Sequence, residues 1–178
     1  MSNNYIEENK EKIRKMPLLF MKGFGPWKLI QSIPVGGPVA VGFADNQLLI
    51  LSHEVRSLIN CKTGEVTVKE DRNEKPEDYN TNELTYTWSK KFKTPIKIAG
   101  IHGGGLSTYT YDGWKIRVEA PDWPNYDVIL EPSLKDFIRN PNECAKLYHD
   151  SNPRAVGFSP SGKTLVIAGD ADVDIYKR

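Results

Sequence analysis

Four consecutive residues, His102-Gly103-Gly104-Gly105, have the types and spacing that acyl transfer uses. In such a loop the glycines let backbone amides crowd together and stabilise the oxyanion of a tetrahedral intermediate, while the imidazole stands ready for proton transfer. That chemistry also needs a nucleophile on a sharp Gly-x-Ser-x-Gly bend, followed in the chain by a histidine. The nearest approach is Gly157-Phe158-Ser159-Pro160-Ser161, which lacks the last glycine and lies after the final histidine, His149. No catalytic residue is therefore assigned. A small hydrolase or small-molecule-binding protein built on the His102 loop stands as the alternative reading, with Asp112 as its nearest carboxylate partner.

A second candidate is Asp170, Asp172 and Asp174, whose alternation resembles the start of a calcium loop. Hard cations favour such carboxylates, but the sixth loop position holds Ile175 rather than glycine and the chain stops before position twelve. On a strand, a period of two sets the aspartates on one face and Val173 and Ile175 on the other. The three histidines, His53, His102 and His149, show no ligand spacing. The sequence calls for no metal and no cofactor.

The aromatic residues Trp27, Trp88, Trp114, Trp123, Tyr109, Tyr111 and Tyr126 are numerous for this length and read either as core filling between sheets or as interface anchors. Trp114 follows the Asp112-Gly113 turn and Trp123 sits between Asp122 and Pro124. Rings beside turns bury large area at low entropic cost when a partner arrives. His102, Gly103, Gly104, Asp112, Trp114 and Trp123 form the expected binding surface.

These residues belong to a repeated unit. "AVGF" occurs at residues 40–43 and 155–158, and a relaxed copy, "IAGI", at 98–101; the glycines at 42, 100 and 157 are 58 and 57 residues apart. Each copy leads into a turn and then an apolar strand, so short strands separated by turn residues recur along the chain. Asp112-Gly113 reads as a two-residue hairpin turn, and Pro160-Ser161-Gly162 as a second turn. The stretch "RAVGFSPSGKTLVIAGDADVDIY", Arg154 to Tyr176, resembles the first three strands of a WD40-type propeller blade, with Tyr176 at the family's Trp position and the Gly-His and Trp-Asp dipeptides absent. The resemblance implies a propeller-like fold of the kind that serves as an interaction platform.

The expected architecture is mainly β: a propeller-like array of three or four small antiparallel sheets in one domain, residues 1–178. Units cover approximately 37–69, 96–131 and 153–178, with a loop or extra sheet at 70–95. The last unit stops after its third strand, and "WKLIQSI" (27–33) is placed to supply the missing outer strand and join the chain's two ends. The N-terminal part, 1–20, is a helix and lead-in, with an Asn cap, Glu7 and Glu8 in its first turn and basic residues near its end. A helical insertion is expected at 133–149, as two short helices broken at Asn140-Pro141, with Leu134, Phe137 and Ile138 forming one apolar stripe and Cys144, Leu147 and Tyr148 another.

Bulk properties narrow the partner. The 178 residues carry 24 basic and 23 acidic side chains, a net charge of +1. No excess positive charge is available to displace counterions from phosphates, which argues against nucleic acid. No apolar stretch approaches the roughly 20 residues needed to span a bilayer, and "MPLLFM" is too short for a signal-peptide core. Two cysteines without nearby ligand partners suit a cytoplasmic protein. The function expected is a non-enzymatic protein-binding module, an immunity or inhibitor protein or an adaptor, with edge-to-edge pairing into a homodimer as a further route of association.

Overall fold

A computed structural model describes residues 3–19, 22–73, 75 and 78–178. After α1 (Asn3–Lys15) come β1 (Lys28–Pro34) and a meander of β2 (Pro38–Ala44), β3 (Gln47–Ser52), β4 (Val55–Asn60) and β5 (Val66–Asp71). Short strands follow: β6 (Tyr79–Asn80), β7 (Thr85–Tyr86), β8 (Ile96–Lys97) and β9 (Ala99–Gly100). The chain closes with β10 (Lys115–Asp122), β11 (Asn125–Glu131), β12 (Ala145–Asp150), β13 (Ala155–Phe158), β14 (Thr164–Ala168) and β15 (Asp172–Lys177). The described residues form four antiparallel sheets, ordered β1-β15-β14-β13, β10-β11-β12, β5-β4-β3-β2-β9 and β6-β7-β8.

The two ends of the chain meet as expected. β1 lies antiparallel to β15, with Lys28 opposite Lys177 and Pro34 opposite Asp172. This pairing covers the edge that β15 would otherwise expose.

Core clusters show how the sheets stack. Val128, Leu130, Ala145 and Leu147 of the β10–β12 sheet meet Trp27, Phe158, Leu165, Ile167 and Tyr176. The opposite face of β14 and β15, Val166, Ala168, Val173 and Ile175, packs on Val41, Leu48, Ile50 and Ile59. The far face of the β2–β5 sheet, including Leu49, Leu51 and Leu58, then meets Tyr86, Trp88 and Ile96. α1 caps the other end through Ile13, followed by Met16, against Ile129, Phe137 and Cys144. Both faces of the two middle sheets are thus covered, which is why β3 and β14 read as unbroken apolar runs rather than alternating ones. Each fully buried Leu, Ile or Val in them contributes about 1.5–3 kcal/mol of transfer free energy.

The repeat glycines have a steric cause. A Cβ on Gly42 would lie 2.5 Å from the Lys97 carbonyl oxygen, one on Gly100 2.0 Å from that of Val39, and one on Gly157 2.3 Å from Leu106 Cβ. At each copy another stretch of chain crosses too closely for any side chain.

Several expectations are corrected. The region 133–149 is not a pair of helices: it holds turns, a short 3-10 turn at Pro141–Glu143, and then β12. A register shift between Val128 and Ile129 lets Leu147 and Tyr148 both turn into the same core cluster. That bulge removes the period-two pattern from β12 and leaves a spacing that mimics a helix. The middle unit, 96–131, forms no sheet of its own. Ile96–Lys97 joins the small sheet, Ala99–Gly100 pairs back onto Ala40 and Val41 of the first copy, and β10 and β11 pair with β12. Residues 70–95 hold the end of β5 and two of the three short strands of the extra sheet. In α1, Glu7 and Glu8 fall beyond the first turn, whereas Lys12, Arg14 and Lys15 occupy the last.

Candidate functional site

The segment around Asp112 is built from backbone outward. Phe158 N donates to Ser107 O at 2.8 Å, which attaches the segment to the edge of β13, and Ile116 N donates to Thr108 O at 2.8 Å. Thr110, almost fully buried, clamps the tip: its N donates to Trp114 O at 2.9 Å, its hydroxyl oxygen accepts from Trp114 N at 3.0 Å, and its hydroxyl donates to Asp112 Oδ1 at 2.6 Å. Only Gly113 takes a positive φ here, +95°, so the loop is not the two-residue turn with both centres positive that Asp112-Gly113 suggested. It is a wider loop closed by the threonine.

Arg178 fixes the same loop from the far end of the chain. Its guanidinium bridges both carboxylate oxygens of Asp112, with Nη2 to Oδ1 at 2.6 Å, while Nε donates to Gly162 O at 2.9 Å. The bidentate contact with Arg178, and after it the Thr110 hydroxyl, hold the Asp112 carboxyl well below the usual aspartate range. The guanidinium also lies 4.8 Å from the ring centre of Trp27, which is wholly buried. Sequence reasoning did not find Arg178 or Thr110, because the Arg178–Asp112 contact spans 66 residues with no local pattern to announce it.

The six expected surface residues separate. Trp114 turns inward, half-buried, with edge-on contacts to Trp27 at 6.0 Å and Phe24 at 6.2 Å between ring centres. Asp112 stays exposed beside Tyr111, and these two line an open cleft with Pro26, Ser161, Lys163 and Arg178. Trp123 is 77% exposed at the β10–β11 turn. His102 is exposed on another loop, edge-on to Tyr79 at 5.6 Å.

The His102 loop is organised as a turn. Gly100 and Gly103 exchange two backbone hydrogen bonds, Gly100 N to Gly103 O at 2.9 Å and Gly103 N to Gly100 O at 3.0 Å. The Gly103 amide is thereby engaged within the turn and is not directed at an oxyanion. Gly104 has φ of +86°, and a Cβ there would fall 2.3 Å from the Ile98 carbonyl oxygen, so glycine is required by the fold.

The exposed tyrosines stand outside the expected binding surface. Tyr109 is 67% exposed and Tyr111 fully so, both on the Thr110-clamped segment. Their signal was present in "LSTYTY", but the run reads as a strand. In the structure it makes only isolated bridges, Ser107 with Phe158 and Tyr109 with Lys115. Among known proteins, no family model matches this chain and no curated protein is similar to it in sequence. Among the described residues, no helix is long and apolar enough to cross a membrane.

Proposed function

We propose that this chain is a non-enzymatic, propeller-like scaffold that binds another protein through the Tyr109–Asp112 loop. The observation that carries the reading is the pairing of exposed rings with a fixed backbone. Tyr109 and Tyr111 project from a segment held by the Thr110 clamp and the Arg178–Asp112 bridge. A backbone already held in place loses little entropy on binding, and aromatic anchors dominate the energy of protein interfaces. The closure of β1 on β15 and the matched β2 and β13 copies support the propeller-like reading. The two buried, unpaired cysteines suit a reducing, cytoplasmic setting. An immunity or inhibitor protein and an adaptor would use this surface alike.

The test compares the wild-type chain with the Tyr109→Ser/Tyr111→Ser double variant, each immobilised in lysate of the source cells. The wild type should retain one protein near equimolar amount, and the variant, equally stable, should retain at least about tenfold less. Inhibition of the captured protein's own activity identifies an inhibitor; unchanged activity identifies an adaptor. Recovery of no stoichiometric protein, or equal recovery by both chains, contradicts the proposal.

A further inference from the structure

Away from the tyrosine loop, a cleft of about 200 Å³ opens between β12 and β15, lined by Leu18, Tyr148, His149, Asp150, Asp172 and Asp174. Half of its lining is carboxylate. The basic side chains nearby are engaged elsewhere: Lys146 and His149 Nδ1 contact Asp127 at 3.4 and 2.7 Å, and Arg154 contacts Asp170 at 2.8 Å. Asp150 Oδ1 accepts from the Ser151 amide at 2.7 Å.

Asp174 is the unusual member. It is 1% exposed, it lines the cleft, and its Oδ1 has no hydrogen-bond partner. An unsatisfied carboxylate oxygen at such burial is a costly feature for a fold to retain without use. Burial raises the carboxyls of Asp172 and Asp174 above the ordinary range; Asp150 adds to this for Asp172, while the Ser32 hydroxyl opposes it for Asp174. A positive charge seated between them relieves both costs.

The shape of the site selects the kind of cation. Among the described residues, no three His, Cys, Asp or Glu side chains are grouped to hold a metal ion. The volume is below the roughly 300–1,000 Å³ of pockets for drug-sized ligands, and Leu18 and Tyr148 add apolar lining suited to a methylene chain. We propose that the β12–β15 cleft binds a primary ammonium at the end of an alkyl chain, carried by a lysine side chain or by a free diamine. It shares no lining residue with the Tyr111 cleft and does not depend on that surface.

Calorimetric titration of the full chain at low salt with two probes, Nα-acetyl-lysine N-methylamide and 1,4-diaminobutane, tests this. Saturable one-site binding of either supports the proposal, and the tighter of the two identifies the source of the ammonium. Asp174→Asn should weaken it about tenfold or more, the usual size of a lost charged hydrogen bond, while Asp112→Asn should leave it unchanged. Asp174→Asn is expected to fold, since asparagine matches aspartate in size and burial disfavours a charge at this position. If circular dichroism shows that it does not, Asp150→Asn at the cleft decides by the same criterion. The proposal is overturned if neither probe binds by about 10 mM, or if affinity is unaffected by both cleft substitutions.

Discussion

Replacing Gly104 with alanine places a methyl carbon 2.3 Å from the Ile98 carbonyl oxygen at a φ of +86°. The left-handed backbone costs about 1–2 kcal/mol for an L-residue. The clash is with backbone rather than a flexible side-chain tip, so relieving it costs a further 1–3 kcal/mol or so, the usual range for overpacking. Together they predict a loss of about 2–5 kcal/mol, and at roughly 2–4 °C per kcal/mol for a chain of this size the midpoint should fall by about 4–20 °C. Gly105→Ala is the matched control. Its Cβ meets nothing within 4 Å and its φ is not positive, so the variant should be neutral or more stable by about 0.4–1 kcal/mol through the unfolded chain. Thermal unfolding of both variants by circular dichroism, with urea midpoints alongside, reads the difference. Equal midpoints for the two variants, or a Gly104→Ala midpoint within about 1 °C of wild type, would refute the account of the glycine run as turn geometry.

Three further outcomes follow from the same packing. Trp27→Ala should cost about 3–5 kcal/mol in chemical denaturation because its ring is wholly buried against Phe158 and Arg178, whereas Trp123→Ala, 77% exposed, should stay within about 0.5 kcal/mol. Cys61 and Cys144, pushed up to about 11 and about 12 by burial, should resist a thiol reagent at pH 8 in the folded chain and react promptly in denaturant. The Asp112 carboxyl is held below its ordinary 3.8, so its contribution is present above that value and is lost as pH falls through the lower folded value. Wild type should therefore lose stability over that acid window more steeply than Asp112→Asn, as followed by urea midpoints at stepped pH.

Much of the frame was legible from residues alone. The two "AVGF" copies became β2 and β13, and "WKLIQSI" became the strand that closes on β15, because turn residues and apolar runs are local signals. The strand at Ala145–Asp150 was hidden by the bulge opposite Val128 and Ile129, which gives buried neighbours Leu147 and Tyr148 a helical spacing. The third repeat copy misled because pairing partners are chosen over long range: Ala99 and Gly100 add to the first copy instead of starting a sheet. Of the expected binding surface, Asp112 and Trp123 are exposed, whereas Trp114 faces Trp27. Arg178 acquires its role only through a contact 66 residues away in sequence. The alternation of Asp172 and Asp174 against Val173 and Ile175 was readable; that a second sheet would bury Asp174 was not.

The Thr110-clamped tyrosine loop is proposed above as a protein-docking surface. Hydrogen exchange on the chain, alone and saturated with the captured partner, tests it most directly. Binding should slow exchange of the amides at 107–114 more than elsewhere. Protection confined to α1 or to the exposed edge strand β5, with 107–114 unchanged, would contradict it.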